Sequence, residues 1–167
     1  MTRWKHYPRV KTKVSSKLGV EHGFRSGLEE MNANLLMNAG EVVAFETHTL
    51  EYHQPGKIRK YTPDFILCNG IIIETKGRFL TADRQKHKMI AVCHPELDIR
   101  FVFSNPFQTI SKQSKTTYAK WCEHHGFAWA SKVIPQAWID ERPTVARLRA
   151  AERALGWKPQ KKGKANG

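Results

Sequence analysis

Residues 61–77 read YTPDFILCNGIIIETKG, two apolar runs joined by Asn69-Gly70. An Asn-Gly pair between two β-prone runs is a strong signal for a hairpin. Glu74 and Lys76 lie two positions apart on the second predicted strand, so their side chains point to the same face of the sheet. The segment therefore predicts a hairpin that presents a carboxylate and an ammonium together.

The register of this hairpin decides whether Asp64 joins them. A turn made of Asn69-Gly70 alone would leave Asp64 and Glu74 on opposite faces of the sheet. A three-residue turn, Cys68–Gly70 with Gly70 at positive φ, instead sets the two carboxylates opposite each other, with their Cβ atoms about 5 Å apart. We predict the three-residue turn or an equivalent bulge.

Two carboxylates this close repel each other unless one is protonated or a cation lies between them. Hard oxygen ligands favour Mg²⁺ or Mn²⁺, which can polarise a phosphodiester while Lys76 orients the attacking water. A Pro-Asp followed by a Glu-x-Lys is common by chance, and the alternative is a surface hairpin with an exposed ion pair of little energetic consequence. The adjoining apolar strands favour the catalytic interpretation.

The composition indicates an anionic partner. The 167 residues include 28 Lys and Arg against 15 Asp and Glu, a formal net charge of +13, which is typical of proteins that bind nucleic acid. Apolar runs such as Ile71–Ile73 are too short to span a bilayer, so no membrane partner is expected. No apolar segment follows the basic N-terminal residues, which predicts a cytoplasmic protein.

The predicted fold class is α/β, with a central mixed β-sheet flanked by helices in the order α-β-β-β-α-β. Ser26 should cap a first helix that ends before Gly40 and buries Leu28, Met31 and Leu35. The other predicted core elements are strands over Glu41–Tyr52, Tyr61–Leu67 and Ile71–Gly77, a helix over Thr81–Cys93 and a strand over Ile99–Phe103. Weaker signals predict helices over Tyr118–His125 and Thr144–Leu155, with a short segment at Phe127–Trp129 between them.

We divide the chain into a basic N-terminal arm (1–22), a central domain (23–142) and a helical segment with a basic tail (143–167). Cations of the arm and of two helices are candidates for contact with DNA phosphates. The alternatives are that the arm only keeps the protein soluble, that Arg25 and Ser26 only cap the first helix, and that the cations of the second helix only face solvent. The predicted DNA contacts are Arg3, Lys5, Arg9, Lys11, Lys13, Arg25, Ser26, Arg84 and Lys88.

Four blocks of the sequence together resemble the bacteriophage endonuclease I family, whose members are Holliday-junction resolvases built on the PD-(D/E)xK nuclease core. These blocks are GFRSGLEE (23–30), YTPDFIL (61–67), NGIIIETKG (69–77) and HPELDIR (94–100). The resemblance spans roughly residues 23–139. It implies resolution of four-way junctions and other branched DNA by metal-dependent hydrolysis, in the cytoplasm of a phage host.

The resemblance also assigns roles to residues. It implies that Asp64 and Glu74 bind Mg²⁺ or Mn²⁺ with the backbone carbonyl of Thr75, and that Lys76 is the catalytic lysine. It further implies that Glu29, on the first helix, supplies another catalytic and metal-linked carboxylate. Taken from the residues alone, Ser26 to Glu29 is also a capping box, in which Glu29 reaches back to the Ser26 N–H.

The same resemblance implies an intertwined, domain-swapped homodimer in which the helix carrying Glu29 exchanges between chains. The 41–60 region has no confident match to the inter-chain bridge of the family. Two other functions remain open at this point: another type of PD-(D/E)xK nuclease, such as a restriction or transposon-end enzyme, and a non-catalytic basic protein that binds DNA by charge alone.

Overall fold

Two β-sheets and five helices make up the part of the chain that the computed structural model describes, residues 23–159. In chain order they are α1 (Gly27–Asn38), β1 (Leu50–Gln54), β2 (Lys57–Tyr61), β3 (Phe65–Ile66), β4 (Ile72–Lys76), α2 (Thr81–Cys93), β5 (Ile99–Phe103), α3 (Tyr118–His124), β6 (Ala128–Ser131), α4 (Gln136–Ile139) and α5 (Val145–Leu155). The predicted mixed α/β class is confirmed.

The larger sheet has the order β3-β4-β5-β6 and is mixed. Strand β3 runs antiparallel to β4, whereas β4, β5 and β6 are parallel to one another. Helix α2 connects β4 to β5 and α3 connects β5 to β6, as parallel neighbours require. Strands β1 and β2 form a separate antiparallel pair around the turn at Pro55-Gly56.

The turn between β3 and β4 has the predicted three residues. Phe65 pairs with Ile73, and the Leu67 N–H donates to the Ile71 carbonyl at 2.9 Å. Gly70 has φ +83°, a left-handed conformation that glycine adopts without a Cβ clash. This register, continued one residue outward, places Asp64 opposite Glu74.

Alternate residues of β4 pack against opposite layers of the molecule. Ile73 lies in a core cluster with Leu36 of α1 and Trp138 near the end of α4. Ile72 lies in a second cluster with Ile90 of α2 and Leu155 of α5. Because side chains alternate along a strand, Glu74 and Lys76 share the Ile72 face, the one that α2 covers.

Four charged side chains attach α5 to the edge of this core. Arg100 of β5 contacts the carboxylates of Asp98 and Glu141 at 2.7 Å each, and Arg147 of α5 pairs with the same two acids. The Arg100 guanidinium also lies 5.2 Å from the centre of the Trp138 ring. Helix α5 therefore packs onto the sheet through apolar contacts and an ion-pair network.

The predicted strand over Glu41–Tyr52 is wrong for its first nine residues, since pairing begins only at Leu50. The Glu41 carboxylate accepts from the Cys68 N–H at 2.7 Å, and the Phe45 ring packs against Phe65. Glu46, at φ +51°, then turns the chain, and its N–H donates to the Asp64 carbonyl. Side-chain contacts with the β3–β4 hairpin replace the strand ladder that the Val- and Phe-rich sequence favours.

The predicted strand over Tyr61–Leu67 is also too long. Strand β2 ends at Tyr61, and residues 62–64 belong to no strand. Only Phe65 and Ile66 pair with β4. Four strands therefore lie between α1 and α2, one more than predicted. The additional strand, β2, exposes Lys57, Arg59 and Lys60.

Helix α1 begins at the predicted Ser26 cap but buries a different face. Leu28, Met31 and Leu35 are only partly covered, whereas Asn32 is fully buried. The Asn32 amide donates to the Leu28 and Lys132 carbonyls, and its oxygen accepts from the Ile134 N–H at 2.7 Å. This polar anchor rotates α1 away from the face that hydrophobic spacing predicts.

Helices α2, α3 and α5 and strand β5 match their predicted positions to within one residue. None of the helices between residues 23 and 159 has the length and apolar content that crossing a membrane requires.

Candidate active site

Glu74 is the centre of the site, with only 1% of its surface exposed. The Tyr61 hydroxyl donates to Glu74 Oε2 at 2.8 Å. On the other oxygen, Oε1, Lys76 Nζ lies at 2.6 Å and Lys86 Nζ at 3.7 Å. Three elements, β2, β4 and α2, therefore supply groups that contact this one carboxylate.

His87 of α2 approaches the same carboxylate from inside the core. Its side chain is fully buried, and Nδ1 lies 2.9 Å from the Asp83 carbonyl oxygen. Because a carbonyl can only accept, Nδ1 carries the proton of this bond. Nε2 then faces Glu74 Oε1 at 3.7 Å, beyond hydrogen-bond range.

Asp64 lies just before β3 and is 4% exposed. Its Oδ2 accepts from the Thr75 N–H at 2.6 Å and from Thr75 Oγ1 at 2.7 Å. Burial and the neighbouring Glu74 raise the pKa of Asp64 to about 7, although Lys76 and Thr75 act in the opposite direction. Asp64 thus exchanges a proton near neutral pH in the metal-free protein.

Glu74 shifts in the opposite sense. Burial acts to raise its pKa, but Lys76, His87 and Lys86 outweigh this effect, and the pKa falls well below its usual range. Burial acts to lower the pKa of Lys76, while Glu74 and Asp64 raise it, with a net upward shift. At neutral pH the site contains an ionised Glu74 beside a charged Lys76.

Glu29 forms the capping box that the sequence allows. The Ser26 hydroxyl accepts from the Glu29 N–H, and Glu29 Oε2 accepts from the N–H groups of Arg25 at 2.6 Å and Ser26 at 3.1 Å. Between residues 23 and 159, no three His, Cys, Asp or Glu side chains are grouped closely enough to hold a metal ion. Within one chain, Asp64 and Glu74 therefore come together without Glu29.

The donor set of the site fits a hard divalent cation. Asp64 and Glu74 offer carboxylate oxygens, the ligand type that Mg²⁺ and Mn²⁺ prefer, and the predicted Thr75 carbonyl would add another oxygen. The opposite pKa shifts of the two acids are typical of catalytic carboxylate pairs.

The predicted DNA contacts have varied surroundings. Arg3, Lys5, Arg9, Lys11 and Lys13 lie outside the described residues. Arg25 is exposed and pairs with Glu46, Ser26 caps α1, and Lys88 is exposed on α2. Arg84 is 8% exposed, and its guanidinium donates to the Phe79 carbonyl and Thr81 Oγ1, so it braces the first turn of α2.

Neither Tyr61 nor His87 was predicted from the sequence as part of the site. Tyr61 precedes Asp64 by three residues at the end of a strand that was not predicted. His87 lies three residues before Ile90, a spacing that puts both on the buried face of α2. A histidine on the apolar face of the helix that follows β4 is the feature from which it could have been predicted.

An open cleft of about 350 Å³ lies beside the C-terminal end of β4. The loop that follows Lys76 forms one wall, with Arg78 and Leu80, and the loop that carries Lys112 forms the other. Neither Arg78 nor Lys112 forms an ion pair with another residue of the 23–159 range. The cleft therefore presents two cations, one of them on the loop that directly follows β4.

A basic α/β protein with a buried carboxylate pair and an adjacent lysine has the features of a metal-dependent nuclease. The chain matches the family described as Phage endonuclease I over residues 11–155. It is 46% identical to Endonuclease I of Escherichia phage T7 over 118 residues, which cover 71% of this chain and 79% of the relative. It is 47% identical to Endodeoxyribonuclease 1 of Enterobacteria phage T3 over 118 residues, 71% of this chain and 78% of that relative. The chain belongs to the phage endonuclease I family and is an endonuclease, which confirms the family predicted from the four sequence blocks.

Proposed function

We propose that this endonuclease resolves four-way junctions and other branched DNA by metal-dependent hydrolysis of phosphodiester bonds at Asp64, Glu74 and Lys76. The observation that carries the proposal is the three-residue turn, whose register brings Asp64 opposite Glu74 with Lys76 at 2.6 Å from the Glu74 carboxylate. A buried acidic pair beside a lysine has no packing advantage over apolar residues. The proposed reaction gives these groups a chemical role.

Asp64, Glu74 and the Thr75 backbone carbonyl would hold Mg²⁺ or Mn²⁺, which supplies Lewis-acid polarisation of the phosphodiester and a more acidic bound water. Glu74 reaches this role already ionised, because Lys76 and Lys86 stabilise its charge. The Lys76 ammonium orients the attacking water and offsets the negative charge that develops on the phosphate. Thr75 fixes the Asp64 carboxylate through two donors.

Cleavage of an immobile four-way junction, compared with linear duplex of the same sequence, tests this proposal. With Mg²⁺ we expect paired nicks near the junction and little cutting of the duplex. Chelation of the metal and the Asp64→Ala variant should each lower the rate by on the order of 10³-fold or more. Asp140→Ala, which removes an exposed acid on the other side of the sheet, is the matched control and should cut normally.

Other outcomes distinguish the two alternatives. Equal cutting of junction and duplex would indicate another type of PD-(D/E)xK nuclease. Junction binding without any metal-dependent cleavage would indicate a basic DNA-binding protein.

We further propose that the chain has the PD-(D/E)xK core and acts as a domain-swapped homodimer, in which Glu29 completes the site of the partner chain. Two observations support exchange of α1: Glu29 is not grouped with Asp64 and Glu74 within one chain, and a dimer matches the two symmetric strands of a junction. A Glu29→Gln capping residue keeps its backbone hydrogen bonds but loses the negative charge. Loss of cleavage in Glu29→Gln with an unchanged melting temperature would therefore indicate catalysis rather than capping.

A mixed dimer tests the exchange itself. Glu29→Gln and Asp64→Asn should each be inactive alone. If Glu29 acts in the partner's site, co-expressed Glu29→Gln and Asp64→Asn chains form a mixed dimer with one complete site, and nicking returns. A mixed dimer that stays inactive would place Glu29 in the site of its own chain.

For DNA binding, we propose that the arm cations contact backbone phosphates together with Arg25, Ser26 and Lys88. Arg25 and Lys88 are exposed, as such contacts require. The reaction on phage DNA implies the cytoplasm of the host cell as the place of action.

A further inference from the structure

We infer that His87 is a positioning residue for the Glu74 carboxylate and thereby raises the affinity of the site for its divalent cation. The inference rests on the proposed function, because it assigns to α2 a part in building the metal site. It concerns a residue that neither the catalytic motif nor the predicted DNA contacts include.

The imidazole of His87 is held in one orientation. Its Nδ1–H donates to the Asp83 carbonyl one helical turn earlier, at 2.9 Å. The ring packs edge-on against Phe101, with centroids 4.8 Å apart, and against Tyr61 at 5.4 Å. With both the hydrogen bond and the ring contacts fixed, Nε2 can point in only one direction.

That direction is toward Glu74. Nε2 lies 3.7 Å from Glu74 Oε1 and has no hydrogen-bond partner among the described residues, although it is fully buried. A buried nitrogen without a partner costs free energy that an apolar side chain of similar size would avoid. Packing alone therefore does not explain a histidine here, and the group that Nε2 faces is the Glu74 carboxylate.

The carboxylate of Glu74 is consequently confined from two sides. The Tyr61 hydroxyl donates to Oε2 at 2.8 Å. The His87 ring lies beside Oε1, and the distance from Nε2 to Oε1 is about 0.5 Å longer than a hydrogen bond. Oε1 itself contacts Lys76 Nζ at 2.6 Å and lies 3.7 Å from Lys86 Nζ. Residues that orient a metal ligand in this way commonly change metal affinity by about 10–100-fold when they are replaced.

Two amide variants separate the two nitrogens. His87→Asn retains an amide near the Nδ1 position, within reach of the Asp83 carbonyl, but has no atom that faces Glu74. His87→Gln extends its amide toward the Nε2 position. Titration calorimetry of Mn²⁺ into the full-length, DNA-free protein should show affinity about 10–100-fold weaker for His87→Asn and within about threefold of wild type for His87→Gln.

Urea unfolding without metal completes the comparison, since a purely structural role would lower stability and leave Mn²⁺ affinity unchanged. His94→Asn is the control, because His94 also bonds a backbone carbonyl, that of Glu51 at 2.7 Å, but has no contact with Glu74. Equal Mn²⁺ affinity of His87→Asn and His87→Gln would overturn the inference. Wild-type Mn²⁺ affinity in Asp64→Ala would instead overturn the proposed metal site itself.

Discussion

At the scale of single residues, Asp64 and Glu74 are both buried acids, yet their pKa values move in opposite directions. Glu74 has Lys76 and Lys86 close to one oxygen, whereas Asp64 has uncharged donors from Thr75 and the negative Glu74 nearby. Burial acts to raise the pKa of both acids, and the difference in neighbouring charges decides which one stays ionised. If the proposed metal binds, it would neutralise the charge that Asp64 gains when it loses its proton.

This arrangement predicts that the metal-free protein is destabilised by Asp64 as the pH rises. The pKa of Asp64 is raised from 3.8 to about 7 on folding, so between these pH values the native state binds more protons than the unfolded state. The contribution to stability is complete below pH 3.8 and is lost as the pH passes through 7. From pH 5 to pH 8, the unfolding free energy of Asp64→Asn relative to wild type should therefore rise by on the order of 2 kcal/mol.

Urea unfolding in chelator at the two pH values measures this difference. Glu74→Gln is the contrasting variant, because the lowered pKa of Glu74 stabilises the protein above about pH 4.5 and this stabilisation is lost on acidification. Glu74→Gln should therefore be less stable than wild type at pH 8. If the unfolding free energy of Asp64→Asn relative to wild type falls from pH 5 to pH 8, the result would contradict the raised pKa of Asp64.

How much of the site was predictable differs from residue to residue. Asp64, Glu74 and Lys76 belong to one hairpin, and counting positions showed that they meet if its turn has three residues rather than two. Tyr61 and His87 contact Glu74 from a different strand and a helix. Their contacts with Glu74 depend on how β2 and α2 pack on the sheet, and the spacing of residues within one segment does not predict that packing.

At the scale of elements, the turn over Cys68–Gly70 is the feature on which the site depends. Its buried Asn69 donates to the Trp138 and Glu141 carbonyls and accepts from the Ile71 N–H, so the turn is attached to the end of α4. The turn thereby sets the hairpin register and connects the hairpin to the neighbouring layer.

Gly70→Ala should destabilise the protein by about 1–3 kcal/mol, because an L-residue is strained at φ +83° and its Cβ would lie 3.3 Å from Arg147 Cγ. Gly56→Ala is a matched control, since Gly56 has φ +80° in the β1–β2 turn and open space around the added Cβ. Urea unfolding should show the larger loss for Gly70→Ala. Equal losses would mean that the contact with Arg147 contributes nothing.

Element predictions succeeded where local pattern and tertiary context agree. The limits of α2 and β5 follow from periodicity and from the His94-Pro95 stop, and the structure reproduces them. The 41–49 segment has a strand-like composition, but the contacts of Glu41 and Phe45 with the β3–β4 hairpin override that propensity. These contacts join residues more than 19 positions apart.

At the scale of the whole molecule, the net charge of +13 is the property most directly tied to DNA. Each phosphate neutralised by a cation releases counterions, so the number of contacts appears in the salt dependence of binding. Replacing Arg3, Lys5, Arg9, Lys11 and Lys13 by Gln should make the slope of log K against log salt shallower by up to about 4.5.

Fluorescence anisotropy with a labelled junction in chelator measures the slope without cleavage. A variant with Lys5, Lys11 and Lys13 changed to Arg keeps the charge and should keep the wild-type slope. An unchanged slope in the five-residue Gln variant would identify the arm as a solubilising segment.

The sequence by itself determined the properties that depend on neighbouring positions: the hairpin, the shared face of Glu74 and Lys76, the capping of α1 and the basic charge. These follow because strand and helix periods are fixed and a turn residue acts within a few positions. Only the tertiary structure decided which groups surround Glu74, which face α1 buries and where strand pairing starts. Those features depend on side chains that are distant in the chain and meet only when the layers pack, so the free energy that selects them is absent from any local segment.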